Sequence, residues 1–346
     1  MQRARWAVIG AIIVVALYGR CSVTPPTAEA PGQGYEPNPA GTRAFLAELE
    51  QPLFRDAGRE VIQESHGIDT FLYRSMYKAH EARYGTPLRP GNQSSIGSCV
   101  GWGFSGAAYC SLCVAWDEGE IPEPPLLVSP TSCYGGSRVE ARGKPEGAGG
   151  YRDGSYGGAA AKWMSQWGLI FRENVGGHDL TEYSVSRCRE WGNWGNGGEG
   201  DNGALDKIAK RHPALHVALV TNFDEAAAAI ESGFPIAICS GVGFTRTRSE
   251  GGWCSRSGSW AHCMYACGVR YKKNGSKDDG LLLMNSWGDY VQGPKWPSDQ
   301  PDGSFWATRD VVDVMLGSWR DSFAIGSVQG FPYRELHHEE WLDVPQ

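Results

Sequence analysis

The chain has 346 residues, about twice the 100 to 200 usually spent on one domain, so the sequence predicts a two-part fold or one large catalytic unit. With 41% hydrophobic and 11% aromatic residues against 21% charged, it is too apolar to be a disordered or solvating chain. The formal net charge is −7 and no cationic run exceeds Lys272-Lys273, which removes the basic surface a nucleic-acid partner requires; the Gly show no triplet period, which excludes collagen.

In chain order, Arg3 and Arg5 precede an uncharged, mainly apolar run over residues 6–18. That run is short for a membrane span of about 20 residues but suits the apolar core of an export signal. Residues 1–20 are therefore expected to be an export signal or membrane anchor. The protein would be periplasmic, secreted, or held to a membrane by residues 6–18, with no other membrane contact. Ala28-Glu29-Ala30 resembles a cleavage site but lies far from the run, and Arg20 stands before Cys21 where a lipoprotein signal has a small residue, so cleavage and anchoring stay open.

Residues 21–41, rich in Pro and Gly, read as an extended tether. Apolar residues at helical spacing over 42–84 predict an N-terminal helical segment, a candidate prosegment. Small and apolar residues over 99–116, opened by a Gly-Ser turn, predict a helix. Residues 159–167 predict another, stopped by Gly168. The Gly-dense stretches 143–158 and 192–203 are expected to be surface loops. Residues 223–230 read as a helix with acidic residues in its first turn, and the short apolar runs 235–239, 264–271, 281–284 and 304–307 read as strands. Residues 85–215 are thus expected to be mainly helical and 216–346 mainly β.

Four residue sets carry chemistry: Gln93, then Gly97-Ser98-Cys99, then Ala261-His262, then Asn285-Ser286-Trp287-Gly288. A Cys in the first turn of a helix feels the positive end of the helix dipole, which favours thiolate. A His within reach takes its proton and later returns it to a leaving amine. An Asn amide can hold the other ring nitrogen and fix the imidazole's orientation. A Gln six residues before the Cys can point a side-chain N–H at the carbonyl oxygen that the Cys99 backbone N–H faces, which makes a two-donor oxyanion hole of Gln93 and Cys99.

These motifs resemble the papain-like cysteine peptidases: Asn92-Gln93-Ser-Ser-Ile-Gly97-Ser98-Cys99 with the small and aromatic helix behind it, the His262 strand, and Leu-Leu-Met-Asn285-Ser286-Trp287-Gly288. The resemblance covers about residues 85 to 320. His262 lies 163 residues after Cys99, somewhat beyond the family's roughly 130 to 150, which loop insertions explain. It implies an α+β, two-lobed fold, with a helical left lobe carrying Cys99, a β-rich right lobe carrying His262 and Asn285, and the active-site cleft between them. It further implies that Gly157 and Gly158 offer backbone bonds to a bound peptide, that Ala159, Ala160, Cys239, Trp260 and Ala261 wall an apolar specificity pocket, and that Trp287 shields the His262–Asn285 contact. The family's usual Cys pair near the site is replaced by Ile96 and Ser155, and the aromatic after the nucleophile by Val100. The remaining lobe bridge would join Cys133 to Cys188.

The reading is a thiol peptidase, expected to be monomeric, acting on a peptide or protein substrate without cofactor. Cys110-x-x-Cys113 lacks a second ligand pair, and His337-His338-Glu339-Glu340 reads as a solvated end, so no metal is expected. Two other readings share the sequence: a catalytically silent binding or adhesin protein, and a cell-wall amidase or transpeptidase.

Overall fold

The computed structural model describes residues 33–56, 67–143, 153–198, 203–212, 215–327, 331, 332, 334 and 336. The expected signal or anchor over 1–20, with its apolar run 6–18, lies outside the described residues. So do the tether up to residue 32 and the His337-His338-Glu339-Glu340 stretch.

The chain enters the fold earlier than its composition suggested. Residues 33–36 lie against both halves of the molecule, and α1 (Pro39–Leu46) starts inside the expected tether, with Pro at its first turn and Asn38 Oδ1 accepting from the Gly41 N–H at 3.0 Å. Residues 67–84 open with a short strand before their helix. Strand β1 (Thr70–Phe71) pairs antiparallel with the far end of a long central strand, Thr70 opposite Val269 and Phe71 opposite Gly268, and α2 (Tyr73–Tyr84) follows it. Earlier in the expected helical segment, Phe54 packs edge-on against Phe331 at 5.3 Å, and the backbone of Leu53 forms an isolated parallel bridge with that of Leu219.

The helical half comprises α3 (Cys99–Asp117), α4 (Pro130–Gly136), α5 (Gly157–Gln166), the two-residue strands β2 (Asn174–Val175) and β3 (His178–Asp179), α6 (Val185–Trp194) and α7 (Ala204–Ala209). Helix α3 is long and apolar enough to cross a membrane, yet 78% of its apolar window is buried inside the fold, as a central core helix requires. It packs against α2, α4 and the sheet.

The β half comprises β4 (Val217–Leu219), α8 (Phe223–Glu231), β5 (Ile236–Phe244), β6 (Arg256–Arg270), β7 (Gly280–Met284), β8 (Phe305–Thr308), α9 (Arg309–Trp319) and β9 (Phe323–Ile325). The sheet order is β4-β9-β5-β6-β7-β8, with β1 on β6, and every pairing is antiparallel. Strand β6 is twice as long as its apolar run implied. Its first residues, Arg256 to Ser259, are exposed and so need no apolar side chains, and β-bulges interrupt their pairing with β5.

The contact between α3 and β6 sets the site. Positions 99, 103 and 106 share one face of α3. A Cβ at Gly103 would stand 2.6 Å from the Cys263 Sγ, and one at Gly106 would overlap the Tyr265 ring. Only glycine lets the helix lie this close to β6, and the approach carries Cys99 to the strand that holds His262.

Candidate active site

Cys99 is the first residue of α3 and is fully buried. Ser98 occupies the N-cap position but makes no side-chain cap, because its Oγ bonds the Tyr183 hydroxyl at 2.9 Å. The first N–H groups of the helix are therefore left for another acceptor. Tyr183 also donates to the Gln93 carbonyl at 3.2 Å, which ties the loop before the helix to the turn that starts it.

His262 lies on β6 opposite Ser240, and its Nε2 bonds Asn285 Oδ1 at 2.8 Å. Asn285 follows directly on β7, and the same Oδ1 accepts from the Ser286 N–H at 2.7 Å, which fixes the amide's orientation. His262 Nδ1 is buried without a hydrogen-bond partner. Trp287 lies over the imidazole at 4.2 Å between ring centroids and 30° between planes, and packs in turn on Trp260 and Tyr290. This aromatic group covers the imidazole.

Gln93 is buried across the lobes. Its Nε2 donates to the Ile96 carbonyl at 2.8 Å, its Oε1 accepts from Ser286 Oγ at 2.6 Å, and its backbone N–H bonds the Ser286 carbonyl at 2.8 Å. Gly288 N–H to the Gly91 carbonyl, 2.8 Å, closes the same seam. Ser94, beside Gln93, is a non-glycine residue in the left-handed region with φ 59°, a strained conformation in a loop that the seam holds in place. Sequence spacing thus brings Gln93, Cys99, His262, Asn285 and Trp287 into one region.

The cleft itself is filled. Gln33, Gly34 and Tyr35 cross it as an extended strap. The Tyr35 N–H bonds the Ala261 carbonyl at 3.0 Å, and the Ala261 N–H donates to Gln33 Oε1 at 3.1 Å. On the helical side, Ser155 N–H bonds the Gly34 carbonyl and Glu36 N–H the Ser155 carbonyl, both at 2.8 Å, in a parallel bridge. The Gly34 N–H is directed at the Cys99 sulfur. Within a Pro/Gly-rich tether, the one aromatic residue, Tyr35, was the available signal for this contact, and it is 3% exposed.

The strap leaves the thiol and the imidazole dry, and this decides their charge. Burial pushes the Cys99 thiol up, and three backbone N–H groups offset this only in part. Burial pushes His262 down to about 4, against the raising effect of the Asn285 bond. Among the described residues the pair is neutral thiol and neutral imidazole, with no hydrogen bond between them.

The expected peptide-binding glycines do other work. Gly157 and Gly158 open α5, and their N–H groups both donate to the Asp321 carboxylate at 2.7 Å. Thr42 Oγ1 donates to the same carboxylate at 2.7 Å. The residue that meets the strap is Ser155, and Asp153 holds the walls on this side by accepting from the Gly97 N–H and from the Tyr134 hydroxyl. Ala159 and Ala160 are buried on α5, Cys239 is buried on β5 opposite Cys263, and Trp260 packs on Phe244 and Trp287. Of the residues expected to wall the cleft, Ala261 is the one that hydrogen-bonds the strap.

The cross-link expected between Cys133 and Cys188 is not formed; both are free, buried thiols. Cys133 belongs to the main core, while Cys188 packs with Ile96 and Tyr134 and faces Tyr183 and Ser98, which engage its sulfur.

Burial pushes Asp321 up to about 6, against the lowering effect of its Thr42, Gly157 and Gly158 donors. Its effect on acid stability opposes that of His262. The unfolded His, near 6.5, takes a proton that the folded one refuses until about 4, so this group costs stability as pH falls through that window. Asp321 is raised, so its contribution is present below 3.8 and lost as pH rises through about 6. Each window spans about 2 pKa units, or about 3 kcal/mol, so the two nearly cancel. Asp321→Asn is therefore expected to fall in Tm more steeply than the parent between pH 7 and pH 4.5, as thermal unfolding at both values will show.

No protein-family model matches the chain, and no curated protein matches it. Solved structures do. Over 86% of this chain and 96% of the other, the fold is similar to xylellain, a cysteine protease from Xylella fastidiosa, with a TM-score of 0.52 at 17% identity. The proform of a ragweed-pollen cysteine protease, a major allergen, matches over 85% of this chain and 75% of the other (TM-score 0.45, 14% identity). A procathepsin B from Trypanosoma congolense matches over 87% and 83% (TM-score 0.43, 11% identity). The fold is the papain-like, two-lobed α+β fold.

Proposed function

We propose that the protein is an exported cysteine peptidase, and that the structure is its latent form, with residues 33–36 seated where a peptide would bind. The observation that carries this reading is the His262 imidazole, bonded through Nε2 to Asn285 and left with an unpartnered Nδ1 on the strand against which the Cys99 helix packs. A buried ring nitrogen without a partner is costly in a merely structural histidine. It is what a base awaiting its proton requires.

With the strap displaced, the chemistry follows from the positions. Cys99 passes its proton to His262 Nδ1, and the dipole of α3 favours the thiolate left behind. The sulfur attacks the substrate carbonyl carbon. Negative charge develops on the carbonyl oxygen, between the Cys99 backbone N–H and a Gln93 side-chain N–H. The C–N bond breaks as the imidazolium gives its proton to the leaving amine, and the acyl group stays on sulfur as a thioester. Water, deprotonated by the same imidazole, attacks the thioester, releases the acid and restores the thiol. Asn285 keeps Nδ1 directed at the reaction throughout.

The test uses the full-length chain with Gly34→Val, because a Cβ at residue 34 would overlap the Gly97 carbonyl and drive the strap out. Incubated with a peptide library and read by mass spectrometry, this variant is expected to yield hydrolysed peptides. Ligated products would assign a transpeptidase instead. Untouched peptides, with Cys99 open to alkylation, would make the protein a silent binder.

A further inference from the structure

The strap carries one large side chain into the cleft, and the groups around that side chain define a pocket. The Tyr35 phenol is acted on by Cys239, Cys263 and Asp321, and its hydroxyl approaches the Asp321 carboxylate without reaching a well-formed hydrogen bond. Cys239 and Cys263 are both fully buried free thiols, so two weakly polar side chains and one carboxylate surround the phenol. Asp321 is 2% exposed. Its donors are the Gly157 and Gly158 N–H groups and the Thr42 hydroxyl, with Tyr35 beside them, and none of these is a cation. A carboxylate has about four acceptor positions, so three donors leave it one for a group entering from the cleft.

We infer that Asp321 makes this pocket selective for a basic side chain, Lys or Arg, in the peptide that replaces the strap. This inference rests on the peptidase reading for its substrate, but the pocket's preference does not depend on turnover. Tyrosine fills the stem of the pocket and stops short of its acceptor. A Lys or Arg side chain lays its methylenes along the same stem and brings a charged donor to the carboxylate, the stronger class of hydrogen bond. The apolar preference expected from small wall residues and Trp260 is thereby replaced.

The strap itself supplies the test in the intact chain. Tyr35→Lys and Tyr35→Met place side chains of similar length, charged and neutral, in the same pocket, and iodoacetamide labelling of Cys99 reports how often the strap opens. Thermal unfolding first shows that each variant is folded. Tyr35→Lys is expected to label roughly 10- to 100-fold more slowly than Tyr35→Met, the range of one charge-assisted bond, and the difference is expected to vanish when Asp321→Asn is added to both. Equal or faster labelling of Tyr35→Lys overturns the basic pocket, even if the Gly34→Val chain hydrolyses peptides. A protected Tyr35→Lys beside a Gly34→Val chain that cuts nothing sinks the peptidase reading and leaves the pocket standing. Should the Asp321→Asn chains fail to fold, the Tyr35 pair alone decides.

Discussion

Cys99→Ala, placed in the opened Gly34→Val chain, is expected to lower kcat by at least about 10⁴, with KM little changed, because it removes the one atom that forms a bond to the substrate. His262→Ala should cost nearly as much, and the double variant hardly more than either single one, since the two act as a unit. Gln93→Ala is a different kind of loss. It takes away a donor needed when charge develops on the carbonyl oxygen, so kcat is expected to fall by about 10² to 10³. If Gln93→Ala raised KM and spared kcat, the residue would be a substrate contact. Asn285→Ala leaves the His262 Nε2–H without the acceptor now at 2.8 Å and frees the ring to rotate, so it should lower kcat through the imidazole. Steady-state kinetics on one susceptible peptide separates these outcomes. A Cys99→Ala chain that retained hydrolysis would end the thioester mechanism.

The residues that sequence made legible share one property: each sits in a short local pattern. Gly97-Ser98-Cys99 is a turn opening an apolar helix, and α3 starts where that turn predicts. Asn285 follows the apolar run of β7, and His262 precedes the buried half of β6. What stayed illegible is long-range. Tyr35 and Ala261 are bonded across more than 200 residues, and no periodicity in a Pro/Gly-rich segment announces an acceptor on a distant strand. Gly157-Gly158 fits a pair of peptide-binding glycines equally well as a helix start, and only the position of Asp321 decides between the two. The Cys133–Cys188 bridge is what the family resemblance implies, whereas in the structure both thiols are free and Tyr183 and Ser98 engage the Cys188 sulfur. The exposed first part of β6 carries no apolar signal because nothing buries it.

The strap also determines how the thiol responds to pH, and Gly34→Val tests this directly. Tyr35 N–H to Ala261 at 3.0 Å and the two bonds to Ser155 at 2.8 Å, together with the buried Tyr35 ring, hold the strap against the entropy of ordering its residues. The parent chain is therefore expected to label at Cys99 very slowly with iodoacetamide across the neutral range, its thiol pushed up by burial. In Gly34→Val the overlap with the Gly97 carbonyl cannot be relieved by a side-chain rotation, so the strap leaves and labelling should rise by at least about 10-fold. Water then reaches both groups, the desolvation that holds His262 near 4 is lifted, and the thiol can pass its proton to the imidazole. Labelling should accordingly begin at mildly acidic pH and be confined to Cys99 among the ten cysteines. Hydrolysis should follow a bell whose two limbs belong to the coupled pair. Adding His262→Ala should move the onset of labelling up towards an ordinary thiol, near about 8.5. If the parent and Gly34→Val chains label at the same rate, residues 33–36 do not close the cleft. If Gly34→Val labels fast only above about pH 8, Cys99 and His262 do not form the ion pair that the mechanism requires.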